Sequence, residues 1–121
     1  MKKLLSMLLV AVLAVTLVGC GGGGTPTEAK TVKVGVSIYK FDDNFMTLYR
    51  EEIQNYFKTL ETDEVKYEVV VQDAKNDMAE QTNQIDNFIT QDYDVLIVNL
   101  VQATSAATII DKCKAAEIPT I

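Results

Sequence analysis

Three short β-branched runs alternate with segments of helical period, and this alternation restricts the fold more than any other feature. Val32 to Tyr39 and Tyr67 to Gln72 read as valine-rich strands. Val95-Leu96-Ile97-Val98 is a continuous apolar strand of the kind covered on both faces. Between the first two, Asn44 to Leu60 sets Phe45, Tyr49, Ile53, Tyr56, Phe57 and Leu60 at helical spacing. A second helix starts at Asp77-Met78-Ala79-Glu80, which has capping-box character. It is expected to bury Met78, Gln81 or Thr82, Ile85, Phe88 and Ile89. Thr104 or Ser105 is expected to cap a third helix reaching about Ala116, and Ile118-Pro119-Thr120-Ile121 reads as a fourth strand that has only begun. A βαβαβα order calls for a mostly parallel sheet with right-handed crossovers, hence a three-layer α/β/α fold. A sheet ending in that last strand would leave an apolar edge unpaired, which natural domains avoid. The sequence is therefore expected to be a fragment of a larger protein, with a partial lobe over residues 32–121.

The amino terminus has a different purpose. Lys2 and Lys3 precede an apolar run from Leu4 to Val18, and Leu17-Val18-Gly19-Cys20 follows. Residues 1–19 read as a secretory signal, too short for the ~18–20 apolar residues of a membrane span. The ending resembles the lipobox of bacterial lipoproteins, in which the cysteine is lipidated and becomes the new amino terminus. Cys20 is the lipidation site this implies, and residues 20–31, with Gly21 to Gly24 and Thr25-Pro26-Thr27, form a flexible tether. Random-coil scaling gives such a tether a reach of roughly 18 Å, and two or more acyl chains would hold it stably at a bilayer. The expected location is extracytoplasmic, lipid-anchored to the cell membrane.

Without Lys2 and Lys3 the mature chain keeps nine basic against seventeen acidic residues, a net charge of −8. Such a surface repels nucleic acid. With Cys20 assigned to lipid, Cys113 is left without a disulfide partner. It shares a helical face with Ala106, Ile109 and Ile110, so a buried apolar thiol is expected. The chain has no histidine. It also lacks a P-loop, a Gly-x-Gly-x-x-Gly pattern and any serine–histidine or cysteine–histidine pair, so no enzyme activity is expected.

In a doubly wound sheet of order 2-1-3-4, a crevice opens between the carboxyl ends of the first and third strands. The first strand would deliver Tyr39, Asp42, Asp43 and Phe45 to it, and the third Asn99. A carboxylate, an amide and an aromatic ring together suit a neutral polyhydroxylated ligand. The polar groups exchange hydrogen bonds with hydroxyls, and the ring packs on the C–H face of a pyranose. Simpler readings stand beside this one. Asp43 or Asn44 could cap the following helix, Phe45 shares a helical register with Tyr49, and Asn99 is a common turn residue. Asp73, Asn76 and Asp77 read as loop and cap, and Gln81 and Gln84 as solvated or lobe-packing positions.

Tyr39-Lys40-Phe41-Asp42-Asp43-Asn44-Phe45-Met46, with Asn76-Asp77, Gln81, Gln84-Ile85-Asp86 and Asn99-Leu100-Val101, resembles the amino-terminal lobe of the bacterial D-galactose/D-glucose-binding family. These are type I periplasmic sugar-binding proteins that serve ABC importers. The resemblance covers about Val32 to Ile121. It implies that Asp43 hydrogen-bonds a sugar hydroxyl, Phe45 stacks on the ring, Asn99 adds a hydrogen bond, and Tyr39 lines the pocket near the lobe interface. Phe41 stands where relatives often carry tyrosine, and Gln102 where they often carry an acid. The family's second lobe supplies further sugar ligands and a calcium-binding loop, so no metal or cofactor is expected within this chain. The resemblance implies capture of galactose or glucose for the membrane subunits of an ABC importer, with a chemoreceptor as a further partner. A sugar sensor feeding a membrane histidine kinase would use the same fold. A receiver-like phospho-signalling domain would need an aspartate where Asn99 stands, and a cytoplasmic setting.

Overall fold

The computed structural model describes residues 28–42 and 44–121. The expected signal segment, Cys20, most of the tether and Asp43 lie outside the described residues.

Strand β1 (Lys30–Ile38) is central in a three-stranded sheet, between β2 (Val65–Asp73) and β3 (Val95–Val98). Both pairings are parallel. Lys30 to Ile38 run beside Val65 to Asp73, and Val34 to Ser37 beside Val95 to Val98. The order β2-β1-β3 is the expected one, and β3 has the bounds read from the sequence. Strand β2 extends beyond its expected bounds at both ends, and β1 starts earlier, at Lys30, but stops at Ile38, short of Tyr39; parallel pairing recruits polar residues such as Lys30 and Lys66 that no apolar run marks. The fourth strand is present as a beginning. Thr120 bridges Leu96 in parallel, and the Ile121 amide donates to the Leu96 carbonyl at 3.0 Å.

Helix α1 (Asn44–Thr59) covers one face of the sheet, where Val34, Val36 and Ile38 of β1 are buried with Met46. Tyr49, Ile53 and Phe57 pack on this cluster. The core stripe of α1 is thus Met46, Tyr49, Ile53 and Phe57, a period of three to four. The wider stripe expected from the sequence needs correction, since Phe45, Tyr56 and Leu60 are exposed. Phe45 and Tyr56 each sit one position before a stripe residue and face outward, and Leu60 lies past the end of the helix.

Helices α2 (Met78–Thr90) and α3 (Ala106–Ala115) cover the opposite face. Ile85, Phe88, Tyr93, Leu96, Ile109 and Cys113 form the core there, completing the α/β/α layering. Cys113 is a buried free thiol, as expected, whereas Ile110 is exposed. Contact between α2 and the sheet depends on Gly35. A Cβ on Gly35 would lie 2.7 Å from Leu96 Cδ2 and 2.8 Å from Phe88 Cγ. Lacking a side chain, Gly35 lets the Phe88 ring rest directly on the strand, a known use of glycine within sheets.

The helix ends modify three expectations. Asp77 caps α2, accepting from the Ala79 and Glu80 amides at 2.7 and 3.0 Å. The return half of a capping box is missing, because the Asp77 amide donates to the Ala74 carbonyl instead. Met78 occupies the first turn of α2 and is exposed rather than buried. Ser105 holds the N-cap position of α3, one of the two expected, but its side chain makes no capping hydrogen bond. Residues Ala103–Ser105 form a 3-10 turn, and the Ser105 hydroxyl donates back to the Gln102 carbonyl at 2.7 Å.

Candidate functional site

All three parallel strands deliver their following loops to one end of the sheet, as parallel pairing requires. Asn99 follows Val98 there, and its amide donates to the Ser37 carbonyl of β1 at 2.9 Å. The exits of β1 and β3 are therefore held side by side, the neighbourhood expected for the crevice. The loop after β2 joins them. The Ala74 amide donates to the Ile38 carbonyl at 2.8 Å, and the Asn76 amide to the Tyr39 carbonyl at 2.6 Å. Lys75 and Asn76 hold positive φ angles of 54° and 57° to make this turn.

The expected site residues are distributed as follows. Tyr39 leaves β1 half-buried, packs on the cluster beneath α1, and has the Lys40 ammonium 5.8 Å from its ring centroid. Phe45 lies in the first turn of α1, 68% exposed, with its ring stacked on Tyr49 at 6.4 Å between centroids and 13° between planes. It is no part of the core, so the register it shares with Tyr49 does not bury it. Asn99 is half-buried at the tip of β3. Its Oδ1 is a buried side-chain oxygen with no hydrogen-bond partner among the described residues. Asp43, the carboxylate expected to bind, lies outside the described residues. Asp42 is exposed and pairs with Lys40 at 2.9 Å, an ion pair worth little at such exposure. Arg50 sits 4.4 Å from the Phe41 ring centroid and anchors that aromatic on α1. A shallow hollow of about 240 Å³, lined by Lys40, Phe41, Asp42, Asp73, Lys75 and Asn76, lies over the exits of β1 and β2. It reaches neither Asn99 nor Phe45.

Beneath these exits lies a polar network not read from the sequence. Ser37, Gln81 and Gln84 are 0%, 0% and 5% exposed, so of the expected pair Gln81 or Thr82 it is Gln81 that is buried, and neither glutamine is solvated. The Ser37 hydroxyl donates to Gln84 Oε1 at 2.8 Å and accepts from Gln81 Nε2 at 3.2 Å. Gln84 Nε2 donates to the Asp73 carbonyl at 2.8 Å. Gln81 Nε2 also donates to the Asn99 carbonyl at 3.0 Å, and its Oε1 accepts from the Val101 amide at 2.9 Å. Every amide group in the set has a partner, and one arrangement of the two carboxamides satisfies them all. The exits of all three strands are tied to α2 from below. The available signal was helical register. Gln81, Ile85 and Phe88 fall on one face, so a polar residue stood where the core begins.

Comparison with known proteins follows this geometry. The model of the periplasmic binding protein domain family matches residues 34–121. A D-galactose/methyl-galactoside binding periplasmic protein of Haemophilus influenzae is 34% identical over 100 residues, covering 83% of this chain and 29% of that protein. A xylitol-binding protein of Mycolicibacterium smegmatis is 33% identical over 103 residues, covering 85% of this chain and 28% of that protein. Among solved structures, an ABC transporter solute binding protein of Bacillus halodurans with bound myo-inositol superposes with a TM-score of 0.57. It is 31% identical, and the match covers 81% of this chain and 31% of that one. The chain thus spans less than a third of the length of the relatives it matches. On the match across 34–121 and these identities, the chain belongs to the periplasmic binding protein domain family and has the type I fold of its sugar-binding members.

Proposed function

We propose that this chain is part of the amino-terminal lobe of an extracytoplasmic receptor, lipid-anchored through Cys20, that captures galactose- or glucose-type hexoses. Asp43 and Asn99 hydrogen-bond sugar hydroxyls, Phe45 stacks on the ring, and Tyr39 lines the pocket beside them. The loaded receptor is handed to the membrane subunits of an ABC importer, with presentation to a chemoreceptor or a sensor kinase as the competing use. No metal and no catalytic group is assigned within this chain. Capture occurs between two lobes that close about a hinge, so this lobe contributes one wall.

The observation that carries the reading is the buried Oδ1 of Asn99, without a hydrogen-bond partner among the described residues, at the tip of a strand pinned to β1. A buried acceptor left unsatisfied costs about 1–3 kcal/mol. Such a cost is tolerated where a group is kept for a ligand. The exposed Phe45 ring at the same end of the sheet supports an apolar contact.

Titration calorimetry on the intact receptor with D-galactose and D-glucose tests the proposal. A dissociation constant of about 1 µM corresponds to about −8 kcal/mol, and half of that leaves a single lobe near ~1 mM. Residues 20–121 alone should therefore bind in the millimolar range. In the intact receptor, Asp43→Ala should cost several-fold to a few hundred-fold in affinity, since it removes a charge-assisted bond and strands sugar hydroxyls. Wild-type affinity in both Asp43→Ala and Asn99→Ala would refute the assignment.

A further inference from the structure

We propose that Gln81 is a positioning residue for ligand binding, one that holds Asn99 in place by substituting its side-chain amide for a missing strand. The inference rests on the reading of Asn99 as a ligand contact. Main-chain pairing between β1 and β3 ends at Ser37 and Val98, apart from the single bond from the Asn99 amide to the Ser37 carbonyl. Beyond this point the chain would leave the sheet unsupported. Gln81 supplies the support from the helix below. Its Nε2 donates to the Asn99 carbonyl at 3.0 Å, and its Oε1 accepts from the Val101 amide at 2.9 Å. One carboxamide thus engages the C=O of one residue and the N–H of the residue two further on. In a parallel ladder one residue of the adjacent strand makes the same two bonds, through its own N–H and its own C=O.

The effect on Asn99 is specific. Its amide is held by Ser37 and its carbonyl by Gln81, so both peptide groups flanking its Cα are fixed. Its side-chain oxygen has no hydrogen-bond partner among the described residues. Gln81 is itself immobile, being fully buried and hydrogen-bonded to the Ser37 hydroxyl at 3.2 Å. Ser37 is in turn fixed by Gln84, which also holds the Asp73 carbonyl of β2. A contact residue is thereby set on a backbone ordered before any ligand arrives, the arrangement that lowers the ordering cost of binding.

Two measurements test this. In the ligand-free, wild-type receptor, hydrogen exchange at the Val101 amide should be as slow as at amides inside β1. Exchange at the rate of an exposed loop would overturn the proposal without any variant. Titration with D-galactose and D-glucose should then compare wild type, Gln81→Met, Asn99→Ala and the double variant. At metal sites, losing the group that orients a ligating residue weakens binding by about 10–100-fold, and by the same logic Gln81→Met should lower affinity by at least about tenfold when Asn99 is present. In the Asn99→Ala background the same change should cost less than about twofold, the limit of ordinary additivity. An equal loss in both backgrounds would mean Gln81 only supports the fold, and would overturn the positioning role alone. Unaltered affinity in Asn99→Ala would remove the ligand role of Asn99 and this proposal with it.

Discussion

Replacing Gly35 with alanine should destabilise the fold even though alanine is the better residue for a strand. The new Cβ would meet Leu96 Cδ2 at 2.7 Å, Phe88 Cγ at 2.8 Å and Phe88 Cδ1 at 2.9 Å. Leu96 is 0% exposed and Phe88 1%, so neither side chain has solvent to move into. Overpacking of this kind costs about 1–3 kcal/mol. Against it stands a gain of about 0.4–1 kcal/mol, because alanine restricts the unfolded chain. The steric term wins, for a net loss of roughly 1–2 kcal/mol. Relief requires α2 to lift from the sheet, and Gln81 and Gln84 are carried on that helix, so under the proposed function the intact receptor's sugar affinity should fall along with stability. Urea unfolding followed by circular dichroism would measure the first effect and calorimetry the second. A cycle with Phe88→Leu isolates the cause. The smaller side chain makes room for the methyl group, so the double variant should be more stable than additivity allows by about 1 kcal/mol. If Gly35→Ala matched or exceeded wild-type stability, or if the two changes were additive, close packing of Phe88 on the strand would not be the reason for the glycine.

Four other outcomes follow from the packing. Cys113→Ser should destabilise by about 1–3 kcal/mol, since it places a hydroxyl in an apolar cluster. A thiol reagent should react with Cys113, 1% exposed, only after unfolding. Asp77→Ala should cost about 1 kcal/mol through loss of the α2 cap, measured by urea unfolding. Burial, with a smaller contribution from Glu68, holds the Tyr93 phenol above its ordinary value of 10.0. The unfolded chain therefore gives up this proton first, so the stability Tyr93 contributes is complete below about pH 10 and declines at higher pH. Tyr93→Phe should flatten that alkaline decline, and an unchanged slope would show that Tyr93 does not cause it.

The sheet order was legible because each strand is bounded by a change of composition. Val95 to Val98 is fenced by Asp94 and Asn99, and its limits were read without error. Strand ends that depend on a neighbour were not, because Lys30 and Lys66 join the sheet through main-chain pairing that no side chain announces. On α1 the apolar pattern allowed several faces, and only packing decides that Met46 is buried while Phe45 is exposed. That decision matters for function, since a ring left outside the core is free to meet a ligand. The period of α2 admits Gln81 or Thr82 to the buried face, but polarity leaves Gln81 and Gln84 open to either a solvated or a packed position. They are buried here because β1 offers them the Ser37 hydroxyl and because the strand exits leave main-chain groups unpaired. Tyr39, Phe45 and Asn99 could be named from sequence, but what holds Asn99 still could not.

Pairing between main chains is indifferent to sequence, since every residue but proline brings the same amide and carbonyl. At the tip of β3 that uniform bond has been exchanged for one written in a side chain, and a single codon at position 81 can therefore lengthen, shorten or abolish it. Evolution, or an engineer, can adjust how firmly the rim of this sheet is held while leaving every strand and its register untouched.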